Sequence, residues 1–321
     1  AGAGTPAAIG APFLVGLGFS PLSAAVATLI ANSVPVSWGG AGVTTIMGIE
    51  PVREYMTVME ASAAVGRIHM VGAILLPFLV TLTIFGRKGT RGLLPFLLFS
   101  GGFMAVVLFC LSIFVGPELT SMATGLATLV AALFFLRLVG TDTPDEFLYT
   151  PAPASESRHS AARAFSPYIL LLVLLPVVRY SFPLSVLARY GYTVWVGAVV
   201  MASAFLGSLL LGAGTRGFLD YLRSALKKVM PALVAMCSLL ALSDIMTRTG
   251  MIGVLASALA PAAGPLYPAL AVAVGALGSF MTGTNLGSNI MFGPMHADAA
   301  LALGQNPVTV FAGQNAGGAI G

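Results

Sequence analysis

Residues able to do chemistry are scarce in this sequence, and most of them collect in two glycine-rich segments. The denser one runs from Gly278 to Asn289, reading Gly-Ser-Phe-Met-Thr-Gly-Thr-Asn-Leu-Gly-Ser-Asn inside apolar surroundings. Thr284, Ser288 and Asn289 supply hydroxyls and an amide there, and Asn315 follows in a second polar turn, Gln314 to Gly318. The other segment opens the chain at Gly4-Thr5-Pro6 and continues through Gly18-Phe19-Ser20-Pro21 to Asn32-Ser33-Val34-Pro35, with Gly39, Gly40 and Gly42 behind it. Neutral hydrogen-bonding side chains beside the amino termini of broken helices can hold an anion without a formal countercharge, because the free N–H groups there carry partial positive charge. Such irregular backbone is tolerated at membrane depth only where protein buries it or where it lines a cavity. The same letters also suit a packing interface of small residues, with Ser and Asn bonding across helices.

Ionisable side chains in or near apolar runs are few, and each has two readings. His69 opens a span and is either an interfacial histidine with its partners satisfied or a proton carrier; Arg67, two residues earlier, could pair bidentately with a carboxylate. Glu118 follows Gly116-Pro117 and is either a charge at a helix amino terminus or a titrating acid. Asp298, beyond Pro294 and His296, could cap a helix or carry a proton. Asp244 and Arg248, four apart, are expected to pair with each other. Cys110 and Cys237 lack partners at metal or redox spacing and read as small buried hydrophobes. Zinc-protease, nucleophile-elbow and phosphate-loop motifs are absent, so neither an enzyme nor a cofactor or metal site is expected.

The elements that position these residues must be membrane helices. Of 321 residues, 57% are hydrophobic and only 8% charged, with a mean hydropathy of +0.95. A soluble domain carries about 25% charge, so a water-soluble enzyme is excluded, and the net charge of +4 reflects loop Lys and Arg rather than nucleic-acid binding. Apolar blocks of about 20 residues match a hydrocarbon core about 30 Å thick. The expected fold is an all-α polytopic membrane protein of about 8 to 10 transmembrane segments at that helix length, with broken or re-entrant helices.

Residues 7–32, interrupted by Gly16, Gly18 and Pro21, suit two short half-helices. Spans are expected near 68–86, 92–115, 119–138, 167–180, 193–213, 229–247 and 251–280, with an amphipathic interfacial helix over Glu50 to Glu60 and a polar stripe of Arg216, Asp220, Arg223 and Lys227. Residues 1–140 form a membrane region carrying the first break, 141–165 a polar cytoplasmic loop, and 166–321 a membrane region carrying the second break. Ten Lys and Arg fall on one side of the membrane and five on the other, which makes the richer side cytoplasmic. The two breaks repeat the same order of parts, as an inverted repeat would, although Thr5 to Pro21 spans 16 positions and Thr284 to Pro307 spans 23. The uncharged beginning and the Gly-Gly-Ala-Ile-Gly end suggest a piece of a longer protein.

Residues 278–292, Gly-Ser-Phe-Met-Thr-Gly-Thr-Asn-Leu-Gly-Ser-Asn-Ile-Met-Phe, resemble a signature of the L-lactate permease family, and further blocks resemble that family in the same order: Gly4 to Ile9, Leu14 to Pro21, the Asn32 turn with Pro35-Val36, Val65-Gly66-Arg67, Gly116 to Leu119 and Gly317-Gly318. The resemblance covers essentially the whole chain. It implies a multi-pass carrier of the bacterial inner membrane that takes up lactate, and often glycolate, together with protons, and a full-length permease with an additional amino-terminal part and further carboxy-terminal spans. It also implies a variable residue at Asn285.

On this reading Thr5, Asn32 and Ser33 face Thr284, Ser288, Asn289 and Asn315 around a small monocarboxylate, with Arg67 as the alternative carboxylate partner and His69, Glu118 and Asp298 as candidates for proton coupling. Membrane lipid is the other partner. A cation-coupled carrier of another organic anion is the rival reading, ahead of a passive channel or a membrane-embedded enzyme.

Overall fold

The computed structural model describes residues 10–140, 163, 165–183, 186, 189 and 191–321. Thr5 and the polar stretch 141–162 lie outside the described residues. Among the described residues all regular structure is helical, and four helical stretches are long and apolar enough to cross a membrane, or five if one bent pair is counted as a span. This is a multi-pass, all-α membrane protein.

The chain divides into two compact units, residues 1–152 with 237–321, and residues 153–236. The larger unit begins with two half-helices, α1 (Ala11–Gly16) and α2 (Pro21–Asn32), as the interrupting glycines and proline dictate. Ser20 caps α2 by accepting a hydrogen bond from the Ser23 amide at 3.1 Å, and Pro21 fits the first helical position. The chain then bends by 63° into a 3₁₀ turn, Pro35–Trp38, and α3 (Gly39–Gly48). Gly40, Ala41 and Gly42 all have left-handed backbone within α3, and a Cβ on Gly42 would strike the Pro117 carbonyl, so this turn has to be glycine-rich.

The amphipathic helix expected over 50–60 is not one element. Pro51 limits its start to a short 3₁₀ turn, Glu50–Val52, and the Thr57–Glu60 capping box starts a new helix, α4 (Val58–Gly92). A left-handed residue, Gly86, breaks α4 just before the basic segment Arg87–Arg91. α5 (Leu94–Phe114) and α6 (Pro117–Leu138) follow as expected. α6 exposes Leu126, Leu129, Val130, Leu133 and Phe134, a stripe at helical spacing that lipid can cover. Cys110 is exposed on α5, and Cys237 is exposed as well, so neither is the buried small hydrophobe expected; both helix faces are apolar and suit lipid.

In the smaller unit α7 (Ser166–Ser181) packs on α8 (Tyr192–Leu210) around Leu175, Trp195 and Val199, with Gly207 leaving room for Pro167. The predicted polar stripe and the following span are one element, α9 (Gly214–Arg248), whose residues from Cys237 onward belong to the larger unit; there Asp244 accepts from Arg248 at 2.7 Å.

The remaining helices carry the second break. α10 (Met251–Ala263) is followed by a 3₁₀ turn at Gly264–Leu266, α11 (Tyr267–Thr282), α12 (Asn285–Ala302) and α13 (Pro307–Gly318). α11 ends at left-handed Gly283, and Thr284 caps α12 by accepting from the Gly287 amide at 2.8 Å.

Lipid tails are as apolar as leucine, so close packing rather than water exclusion must join these helices. α13 meets α11 through glycines four apart. A Cβ on Gly313 would lie 2.7 Å from the Pro268 carbonyl oxygen, one on Gly317 would strike the Val272 carbonyl, and one on Gly321, just past the helix, would strike that of Ala276. Three successive turns of α11 thus present carbonyls to a groove without side chains.

Candidate functional site

α12 turns one continuous face inward. Asn285, Ser288, Asn289 and His296 lie on it and are buried, as are Gln314 and Asn315 on α13 and Ser37 in the first break. The two breaks meet here: Asn285 Nδ2 donates to the Asn315 carbonyl at 3.1 Å and reaches Ser37 Oγ at 3.5 Å. Gly48, at the end of α3, lies so close to Asn289 that a Cβ on it would sit 3.1 Å from Asn289 Nδ2. Ser37 in turn bonds His69 Nε2 of α4 at 2.8 Å, and its carbonyl accepts from Thr45 Oγ1 at 2.6 Å. Trp38 holds the turn against α4 by donating from Nε1 to Ser62 Oγ at 3.0 Å.

Two kinds of polar group meet in this junction. One is a closed chain in which Tyr267, His296, Gln314 and Ser288 follow one another. Gln314 Nε2 donates to Ser288 Oγ at 2.8 Å, and Ser288 Oγ donates to the Gly275 carbonyl at 2.9 Å. Gln314 Oε1 must therefore accept from His296 Nε2 at 2.9 Å, which leaves Nδ1 to accept from the Tyr267 hydroxyl at 3.0 Å. Each member donates to the next, and the chain ends on the Gly275 carbonyl.

The other kind is open. Asn289 is fully buried, and neither its Oδ1 nor its Nδ2 has a hydrogen-bond partner; Asn285 Oδ1 and Asn315 Nδ2 are likewise buried without one. A buried amide group left without a partner costs about 1–3 kcal/mol, so several on two packed helices mark a place that a polar ligand can complete. The unspent groups include N–H donors, which suit a carboxylate, and carbonyl acceptors, which suit a hydroxyl. Among the described residues no Asp, Glu, Lys or Arg is buried, so this junction carries no permanent charge.

The other residues singled out from the sequence have more varied positions. Ser33 donates to the Ile30 carbonyl at 2.8 Å and so closes the end of α2, while Asn32 beside it keeps a buried, unpartnered Oδ1. Thr284 is spent as a helix cap, and Ser288 belongs to the closed chain. Arg67 is exposed, two residues from buried His69 and therefore about 200° away around α4. Glu118 lies in the first turn of α6 as a helix amino-terminal charge.

Asp298 does not cap a helix. α12 begins at Asn285, so Pro294 sits inside it and Asp298 is exposed four residues further on. Asp298 lines a cavity of about 550 Å³ with Glu54, Tyr55 and Asp244, and the wall of that cavity includes Ile290, the neighbour of Asn289. Sequence reading set Asn285 aside as a variable position, named Gln314 and His296 without giving them a role, and missed Ser37 and Tyr267. Gln314 and Asn315 were visible as adjacent amides, but nothing in the letters says that one is spent and the other open.

Short capped helices meeting at a buried, uncharged amide cluster define a multi-pass helical membrane protein with a polar junction of broken helices. The chain belongs to the L-lactate permease family, whose model matches residues 1–211 and 174–321. It is 30% identical to an L-lactate permease of Streptococcus iniae over 96% of this chain and 68% of that protein. An L-lactate permease of Halalkalibacterium halodurans is 30% identical over 99% and 65% of the two chains, and the glycolate permease of Escherichia coli K12 26% identical over 100% and 66%. The chain thus spans about two thirds of the length of these relatives. No solved structure matches it. Its bacterial relatives and apolar helices make it a multi-pass plasma-membrane protein.

Proposed function

We propose that this chain forms the substrate-binding part of a permease that carries lactate, glycolate or a similar 2-hydroxy monocarboxylate across the plasma membrane together with protons. The observation that carries this reading is the group of buried, unpartnered amide atoms on Asn285, Asn289 and Asn315 where the two breaks meet. Asn289 Nδ2 and Asn315 Nδ2 donate to the carboxylate, helped by the amino terminus of α12, at whose first position Asn285 stands. An Asn oxygen accepts from the 2-hydroxyl. Asn32, whose Oδ1 is buried without a partner, is the acceptor that the first break offers; Ser33 is bonded to the Ile30 carbonyl, and Thr5, proposed for the same role, lies outside the described residues.

Proton coupling is supported by the absence of a buried permanent charge among the described residues: an anion placed in an uncharged, enclosed site gains from an accompanying cation. His69, Glu118 and Asp298 are the titratable groups considered for it, and His69 is the buried one.

The test uses the full-length permease in proteoliposomes. An imposed pH gradient is expected to concentrate labelled L-lactate inside, with no change when Na⁺ is replaced by K⁺. Equilibration without accumulation would contradict coupling, and accumulation that requires Na⁺ would favour the cation-coupled rival.

A further inference from the structure

We propose that His69 and Ser37 form a proton switch that changes the asparagine junction from one that ignores anions to one that binds them. This rests on the reading that the junction holds the substrate carboxylate.

Hydrogen-bond direction is the basis. Ser37 Oγ stands between two nitrogens, His69 Nε2 at 2.8 Å and Asn285 Nδ2 at 3.5 Å. Asn285 Nδ2 can only donate, so it occupies one lone pair of Ser37 Oγ; with His69 neutral and its hydrogen on Nδ1, Nε2 is an acceptor and takes the single Ser37 hydrogen. In this state the hydroxyl offers nothing to an anion. When the imidazole is protonated, Nε2 carries a hydrogen and must itself donate to Ser37 Oγ. The Ser37 hydrogen is then released from His69 and swings toward the Asn285 side, where the unpartnered amides lie. Protonation thus adds a positive charge behind Ser37 and a hydroxyl donor in front of it.

The proton balance is simple. A proton reaching Ser37 Oγ from the junction displaces the hydroxyl's own hydrogen onto His69 Nε2, and no other bond changes. One carboxylate then sits opposite one imidazolium, and the loaded site is electrically neutral. On the other side of the membrane the substrate leaves, the imidazolium returns its proton through Ser37 to water, and the starting directions are restored.

Among the described residues, no other titratable group faces His69. α2, the Pro35–Trp38 turn, α3 and α13, all packed around His69 or its helix, contain no titratable side chain. α5 offers only the exposed Cys110, and α6 only Glu118 and Arg137. The Glu118 carboxylate lies over Gly116 beside the Met59 end of α4, and Met59 is ten residues, about 15 Å of helix, from His69. On α4 itself the nearest charge, Arg67, is on the opposite, exposed face. The other buried titratable groups, His296 and Tyr267, are bonded to each other in the closed chain. Trp38 lies against the His69 ring, 5.4 Å between centroids, and holds it toward Ser37.

The experiment is lactate counterflow by the full-length permease with pH equal on both sides of the vesicle. Wild type is expected to bind labelled L-lactate at least about tenfold more tightly at about pH 5.5 than at about pH 8. His69→Gln keeps a side chain that can bond Ser37 but cannot titrate, and it is expected to exchange lactate with an affinity that no longer depends on pH. Ser37→Ala keeps the imidazole and removes the relay, and it is expected to flatten the same profile; it serves as the second readout if His69→Gln does not insert. A wild-type pH dependence retained in either variant, or a flat profile in wild type, would overturn the switch. Asn289→Ala separates this from the underlying reading: loss of exchange at both pH values leaves the switch standing, whereas normal exchange removes the carboxylate from the junction and the switch with it.

Discussion

Ser37 and Asn285 are 248 residues apart in the chain, yet the Asn285 amide lies 3.5 Å from the Ser37 hydroxyl. One belongs to the bend that ends the first pair of half-helices, the other to the first position of the helix after the second break. Their contact joins two segments that look alike in the sequence. It also joins the open amides on one side to the buried His69 on the other.

Asn289 and Ser288 are neighbours with opposite expected phenotypes. The Asn289 amide has no partner, so Asn289→Ala removes an uncompensated buried group and should leave thermal stability unchanged or raise it by up to about 1 kcal/mol, while lactate uptake falls at least about tenfold. Ser288→Ala strands the Gln314 amide and removes the second hydrogen bond on the Gly275 carbonyl, and should cost about 1–3 kcal/mol. Thermal unfolding of the purified full-length variants, beside uptake, checks both.

Substrate choice follows from the mixture of unspent donors and acceptors. Propionate and pyruvate present a carboxylate without a hydroxyl donor, so each leaves an Asn oxygen unpaired in a buried site. Competition against labelled L-lactate should rank lactate and glycolate above propionate and pyruvate by at least about tenfold, the cost of one unsatisfied group.

The glycine seam between α11 and α13 predicts a sharp positional contrast. Gly317→Ala drives a methyl into the Val272 carbonyl, and the full-length protein should fail to accumulate in the membrane or lose several kcal/mol, about the upper range for overpacking. Gly102→Ala on α5 meets nothing within 4 Å and should be neutral. Membrane yield and size-exclusion profile of the two variants distinguish them.

Much of this fold was legible because its causes are local. Gly16, Gly18 and Pro21 interrupt the first apolar run where the half-helices part, and Gly283 with Thr284 marks the second break at the residues that cap and restart the helix. The stretch from Glu50 to Glu60 misled because its polar spacing was helical while Pro51 and the Thr57 capping box broke it.

The site was legible as a composition and not as a wiring. Ser288, Asn289, Gln314 and Asn315 are the same kinds of residue, and only their partners across helices separate the spent from the open. Ser37 carried no local signal, being one serine in a glycine-rich turn. The four-residue spacing of Gly313, Gly317 and Gly321 was in the letters, but the carbonyls that explain it belong to another helix.

Arg67 offers a check from the opposite direction. Its exposed position on α4 predicts that Arg67→Gln leaves the affinity for lactate unchanged, measured by counterflow at fixed pH. A large loss would place the carboxylate on the other face of α4.

The most direct test of the central claim is the affinity of purified full-length permease for L-lactate, measured by calorimetric titration of wild type and Asn289→Ala. Wild type is expected to bind and the variant to bind at least about tenfold more weakly, with its fold intact. Equal dissociation constants in two equally folded proteins would contradict the assignment of the asparagine junction as the binding site.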